Sequence, residues 1–258
     1  MAEGAALITG ASSGIGTEVA RLCAAAGFDL ILSARRTARL EDLAGSLSRT
    51  HGIRARVVAA DLSDPAAPQD IFDQIRGEPV AALINNAGFG LRGAYAQTDW
   101  NTEARMIQVN VTAPAHLTKL FLPEMLRRRA GRILNIASTA AFVPGPFMAV
   151  YYATKAFLLS FSEAVANEVR GSGVTVTVLC PGPTRTEFQD VAGVAASNLF
   201  RGPVMDAAAV ARQGFEAMMA GRVEAVAGAR NRWVVRSTRL APRTMLAGIA
   251  RRLNESVT

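Results

Sequence analysis

The sequence predicts a single α/β domain built from repeated βαβ units around a parallel sheet of about seven strands. Short apolar runs of strand length alternate with helical stretches of about 10 to 15 residues. The first run passes into a glycine-rich turn that opens a helix. Small and polar residues stand at the carboxyl ends of further runs, where ligands bind in open parallel sheets. A length of 258 residues with 50% hydrophobic content is enough for one large core.

Residues 5–8 read as a short buried strand. Thr9-Gly10-Ala11-Ser12-Ser13-Gly14-Ile15-Gly16 follows, then the helical pattern of Val19, Ala20, Leu22 and Cys23. The glycines permit a tight backbone and close approach, and free amides at the helix start favour an anion, so this is a phosphate-binding turn. Its spacing, with three residues between the first two glycines, differs from G-x-G-x-x-G. Residues 28–32 form the second strand, and Arg35-Arg36 follow it. In dinucleotide folds a carboxylate at that strand end selects a free 2′-hydroxyl, whereas an arginine accommodates a 2′-phosphate. Ala34 offers no carboxylate, so the expected cofactor is NADP, with NADPH preferred over NADH. Arg35 is the first candidate and Arg36 the second; the competing reading is two solvated arginines at a helix start.

The third strand, 56–60, ends in Asp61-Leu62, and the fourth, 81–84, ends in Asn85-Asn86-Ala87-Gly88. A long helical region from about Asp99 to Arg128 contains Asn110. The strand at 132–137 runs into Ser138, a helix carries Tyr151 to about Arg170, and 174–179 is the next strand. Cys180-Pro181-Gly182-Pro183-Thr184-Arg185-Thr186-Glu187-Phe188 makes a stiff turn into a loop-like stretch, to about Met205, that could act as a lid. A helix at about 206–220 and a strand at 223–226 complete the sheet. The chain thus divides into a dinucleotide-binding and catalytic domain, 1–228, and a basic amphipathic extension, 229–258.

Chemistry enters with Tyr151-Tyr152-Ala153-Thr154-Lys155. A tyrosine four residues before a lysine places both side chains on one helix face. An adjacent ammonium favours the phenolate, so Tyr151 is a candidate acid/base near neutral pH. The four-residue partner of Tyr152 is Ala156, which cannot do the same. Taken singly, Asn110, Ser138 and Asp61 also read as capping or turn residues.

With these residues assembled, the chain resembles the short-chain dehydrogenase/reductase family over about 1–226. The resemblance implies a Rossmann-type doubly wound sheet with helices on both faces, and a catalytic set of Asn110, Ser138, Tyr151 and Lys155. It implies cofactor contacts at Gly10, Ser12, Ser13, Gly14, Ile15 and Gly16 in the turn. Asp61 would lie beside the adenine; Asn86, Ala87 and Gly88 beside the cofactor; Pro181 and Gly182 on the nicotinamide side; and Leu62, Thr184 and Thr186 would be further cofactor contacts. Tyr151 would give a proton to a carbonyl oxygen that Ser138 also bonds. Lys155 would bind the nicotinamide ribose and favour the tyrosinate, and Asn110 would hold a water linking Lys155 to solvent. A homodimer or homotetramer is also implied. The competing function is a catalytically silent NADP-binding sensor or scaffold, which would not need the proton-transfer groups. A sugar-nucleotide epimerase fits the short chain and the glycine spacing poorly.

Phe89, Leu91, Phe142, Phe147, Met148, Phe188, Leu199 and Phe200 suggest an apolar pocket, hence a small apolar carbonyl or alcohol substrate. The alternative is ordinary loop packing. His51 and His116 lack ligand neighbours at metal spacing, and Cys23 and Cys180 read as small core residues. The net charge of +7 comes without interleaved aromatics or a recognition motif, so no nucleic-acid surface is expected. No apolar run reaches membrane-spanning length and no leader precedes the first strand, so the expected location is cytoplasmic. In the extension, Arg230, Arg232, Arg236, Arg239, Arg243, Arg251 and Arg252 face Glu255 alone. Leu246, Ile249 and Leu253 suggest an apolar stripe interrupted by Pro242. Packing of Trp233, Val234 and Val235 against a second subunit or the substrate entrance is expected in preference to contact with an anionic membrane; a partly ordered basic extension is the plain alternative.

Overall fold

A computed structural model describes residues 4–195 and 197–255. The first three residues, where the leader expectation falls, lie outside the described residues. β1 (Ala5–Thr9), β2 (Asp29–Ala34), β3 (Ala55–Ala59), β4 (Val80–Asn85), β5 (Gly131–Ile136), β6 (Val174–Cys180) and a late strand (Glu224–Val226) form a seven-stranded sheet. All its pairings are parallel, in the order β3, β2, β1, β4, β5, β6, late strand. The order reverses between β1 and β4, creating the crevice at which such sheets bind ligands.

Alternation along the strands builds two cores, because successive side chains point to opposite faces. Ala6, Ile8, Leu30, Leu32 and Ile84 pack on one face with α1 (Gly14–Ala25), α2 (Thr37–His51) and a helix near the end of the domain (Ala207–Met219). Leu7, Ile31, Leu83 and Ile133 pack on the other with α3 (Ala67–Gln74), a long helix (Ala113–Arg128) and the helix that carries Tyr151 (Ala149–Glu168). Removing a fully buried Leu or Ile from water contributes roughly 1.5–3 kcal/mol, so the crevice rests on a rigid base.

The helical region at 99–128 is not one regular helix. It comprises α4 (Trp100–Ile107), a π turn (Gln108–Thr112) and α5 (Ala113–Arg128). Pro114 has no N–H to give the carbonyl of Asn110, so the α pattern cannot run through this point, and the Ala113 N–H bonds Gln108 O. The helix of Tyr151, α6 (Ala149–Glu168), follows β5.

The stretch read as a loop after β6 contains short elements: β7 (Thr184–Arg185), α7 (Phe188–Val191), a 3-10 turn (Asn198–Phe200) and β8 (Met205–Asp206). β7 pairs with β8, pinning both ends of the lid segment to one point. α8 (Ala207–Met219) and β9 (Glu224–Val226) complete the domain.

The extension folds into α9 (Ala229–Thr238) and α10 (Arg243–Asn254), with Pro242 at the start of the second helix. Two expectations change here. Val235 is buried as expected, but Trp233 and Val234 are exposed, at 73% and 53%. The inward stripe of α10 is Leu246, Ala250 and Asn254, at strict four-residue spacing, which turns Ile249 and Leu253 outwards.

Candidate active site

A cleft of about 550 Å³ runs across the carboxyl ends of the strands, from the phosphate turn to the lid. At one end, α1 begins after Ser13 without a side-chain cap, which leaves its first amides pointing outward. Gly10 has a φ of +65°, and a carbon added to it would lie 2.8 Å from Asn86 Nδ2. Asn86 holds this turn in place by donating to the carbonyls of Thr9 (2.9 Å) and Gly10 (3.1 Å). In return Thr9 Oγ1 accepts the Asn86 and Ala87 N–H groups, both at 3.1 Å. The ends of β1 and β4 are thereby locked together beside the start of α1.

The adjacent rim carries the charges. Arg36 donates to Ser12 Oγ through Nε (3.2 Å) and Nη2 (3.0 Å), and to Glu187 Oε2 through Nη1 at 2.6 Å. Arg39 meets the other oxygen of Glu187, also at 2.6 Å. Hydrogen bonds from Arg39 and then Arg36 hold the Glu187 carboxyl below the usual range. Arg35 is exposed on the same rim and has no ion pair among the described residues. Burial pushes the Asp61 carboxyl up, but hydrogen bonds from Ser63 and the charges of Arg35 and Arg105 outweigh it and hold the group low.

The far end is buried. Tyr151 sits in the first turn of α6, its ring 5.2 Å from that of Phe188 and 6.1 Å from that of Tyr152. Burial raises its phenol well above the ordinary value, the Ser138 hydroxyl pulls it partly back, and Tyr152 pushes it up. Lys155 Nζ lies 5.8 Å from the Tyr151 ring centre and donates to Ile136 O at 2.9 Å. Burial lowers its ammonium to about 8. Desolvation thus works against charge on both partners, opposing the pull towards the phenolate that the Tyr151–Lys155 spacing supplies. Ser138 Oγ accepts the Ala140 N–H (3.1 Å) and lies 3.4 Å from Pro181 O, so it also serves as a turn residue.

Asn110 lies behind the cleft and does not line it. Its amide donates to Phe89 O (2.9 Å) and Thr154 Oγ1 (3.1 Å) and accepts the Phe89 N–H (3.1 Å). A carbon added to Gly88 would sit 3.1 Å from Asn110 Oδ1 and 3.3 Å from Lys155 Nζ, so glycine leaves a gap between the two groups. Gly16 is likewise absent from the lining: it is buried against Gly10 and Asn86, packing helix on turn. The other expected cofactor residues all line the cleft.

Lining near Tyr151 comes from Phe89, Met148, Phe188, Leu199 and Phe200, as expected, and from Val191, Val194 and Tyr152, which sequence reasoning did not place in the pocket. Leu91, Phe142 and Phe147 do not line it. Phe142 packs with Leu158 and Cys180, and Phe147 lies under the Arg251 guanidinium at 4.9 Å. Asn254 of α10 reaches the same region, accepting the Tyr152 hydroxyl (3.2 Å) and donating to Pro146 O (2.9 Å).

The short-chain dehydrogenase family model matches residues 4–194. The chain belongs to the short-chain dehydrogenase family. It is 39% identical over 189 residues to sulfoacetaldehyde reductase 2 of Chromohalobacter salexigens, covering 70% of this chain and 73% of that one. It is 31% identical to a very-long-chain 3-oxoacyl-CoA reductase of Anas platyrhynchos, covering 72% of this chain but 61% of that protein. A short-chain dehydrogenase from Sphingobium yanoikuyae in complex with NADPH superposes with a TM-score of 0.83 at 32% identity, covering 92% and 94% of the two chains. One from Burkholderia phymatum in complex with NAD superposes at 0.82 with 27% identity, covering 100% and 99%. The fold is thus a Rossmann-type α/β fold and the chain a nicotinamide-dependent oxidoreductase of this family.

The residues present fit such a cofactor. The glycine cradle leaves backbone amides open to a pyrophosphate, and β2 ends in Ala34 where a carboxylate would repel a 2′-phosphate. Among the described residues, no group of three or more His, Cys, Asp or Glu side chains is placed to hold a metal, and no helix is long and apolar enough to cross a membrane.

Proposed function

We propose that this protein is an NADP-dependent reductase or dehydrogenase that interconverts a carbonyl and an alcohol on a small apolar molecule, with Tyr151 as the acid/base. The observation that carries the proposal is a buried phenol beside Ser138 and Lys155 at the apolar end of the cleft, where desolvation favours its neutral form. A neutral phenol suits reduction, because it can donate to an oxygen on which negative charge develops. When bound, the nicotinamide supplies the hydride; the protein supplies position, proton and dryness.

Ser138 Oγ would donate to the substrate oxygen once it turns from Pro181 O, which it holds only at 3.4 Å. Lys155, with a pKa near 8 and one donor engaged by Ile136, has two N–H groups left for ribose hydroxyls and for stabilising Tyr151 after proton loss. Asn110 positions Phe89 and Thr154, and the second lone pair of its Oδ1 faces the gap at Gly88, where a water could reach Lys155. The free Arg35, with Arg36 behind it, supports choice of the 2′-phosphate. The lining of Phe89, Met148, Phe188 and Phe200 favours an uncharged substrate.

The test is cofactor oxidation by purified protein, with NADPH and separately NADH, across a panel of apolar ketones and aldehydes. Turnover with NADPH that disappears in Tyr151→Phe supports the reading. Tight NADPH binding without turnover on any carbonyl would favour a sensor, and equal use of both cofactors would remove the NADP assignment.

A further inference from the structure

We infer that Glu187 acts as an internal stand-in for the cofactor's 2′-phosphate, clasping Arg36 and Arg39 and competing with the phosphate for them. The inference rests on the proposed NADP preference. Glu187 is the last residue before α7, at the start of the lid, whereas both arginines belong to the opposite rim of the cleft. Each carboxylate oxygen is taken by a different arginine, at 2.6 Å in both cases. This is how a doubly charged phosphate would engage the same pair. Arg36 is also tied to Ser12 in the phosphate turn, so the clasp sits against the expected cofactor path and not at a distant surface.

The clasp is strong enough to form and weak enough to be displaced. All three side chains are about half exposed, and an exposed ion pair contributes up to about five-fold in an equilibrium constant. A phosphate offers more charge and a third oxygen, and so outcompetes a single carboxylate. Arg35 gives it a further contact that Glu187 does not use. A nucleotide lacking the 2′-phosphate has nothing to exchange for Glu187 and leaves the clasp closed. Displacement also has a route to the chemistry, since the next residue, Phe188, packs on the Tyr151 ring. Glu187 is therefore a specificity-determining residue: it lowers affinity for 2′-phosphorylated nucleotides without touching the reacting atoms.

The experiment is calorimetric titration of adenosine 2′,5′-bisphosphate and of 5′-AMP into wild type, Glu187→Gln and Glu187→Asp. Glu187→Gln should bind the bisphosphate about 3- to 10-fold more tightly and 5′-AMP with unchanged affinity. Glu187→Asp, which keeps the charge, should stay within about two-fold of wild type. If Glu187→Gln weakens both nucleotides, Glu187 is a strap that closes over any cofactor; if it changes neither, the ion pairs are surface decoration. Either result overturns the inference while the NADP reading stands, provided wild type still prefers the bisphosphate. A wild type that binds both nucleotides equally sinks the NADP reading and the clasp with it.

Discussion

The two ends of the cleft use opposite physics. At the end proposed for the nicotinamide, Tyr151 and Lys155 are buried, and the loss of water pushes the phenol up and the ammonium down. At the end proposed for the adenosine, Arg36, Arg39 and Glu187 stand in solvent and hold one another by charge. Changes at the buried end should therefore alter rate and pH dependence, because one atom has no substitute there. Changes at the exposed end should alter affinity and be softened by salt.

The sharpest way to break this contrast is Tyr151→Phe, which should keep NADPH affinity and lower kcat by at least ~10². Tyr152→Phe should leave turnover far closer to wild type, since that hydroxyl is already bonded to Asn254. If Tyr152→Phe were the inactive variant, the proton donor would be misassigned. At the opposite end, Arg35→Ala should weaken NADPH by roughly 10- to 150-fold and leave NADH unchanged, the loss of one charge-assisted hydrogen bond. Direct titration with both cofactors decides it, and an equal loss for both would mean that Arg35 supports the fold of the rim.

A smaller effect tests whether the buried end depends on the tail. Asn254→Ala strands the Tyr152 hydroxyl and Pro146 O without partners and should cost about 1–3 kcal/mol in urea unfolding. An unchanged midpoint would show that α10 is not anchored there. The least effect expected is in pH. Lys155 in the folded chain loses its proton near pH 8, below the ordinary lysine value of 10.5, so its burial penalty is relieved as pH rises through that window. The stability of wild type relative to Lys155→Met should rise between pH 8 and 9.5, by about 1.5 kcal/mol. A flat difference would mean that Lys155 is less desolvated than its surroundings imply.

The phosphate turn and the buried end were legible in the sequence because their signals are local. Glycines at 10 and 14, the Asn86 to Gly88 run and the Tyr151 to Lys155 spacing each sit at the end of a strand or the start of a helix. Backbone geometry then delivers them to the crevice. The clasp was not legible, because Glu187 lies 151 positions from Arg36 and nothing near either marks the other. The tail was half legible. An apolar stripe on α10 was expected at Leu246, Ile249 and Leu253, but packing selected the four-residue series ending in a polar Asn254. Hydrophobic pattern reading passes over a buried asparagine, although its two hydrogen bonds fix the register of the helix. The burial of Tyr151 and Lys155 was not legible for a related reason: spacing reports that two groups are neighbours, not how dry they are.

The π turn at Gln108–Thr112 bears on what this region tolerates. Each residue of a helix advances the phase by about 100°, so a widened turn offsets everything after it from everything before. Met106 faces the cluster around Tyr151, while Leu117, Phe121 and Met125 face the core beneath the sheet. One deletion within the turn would have to swing one of these two faces off its partner, and one insertion would do the same in the other sense. The place of Asn110 is therefore a matter of chain length as much as of residue identity, and a homologue with a single-residue gap there could not be expected to keep an asparagine in the same role.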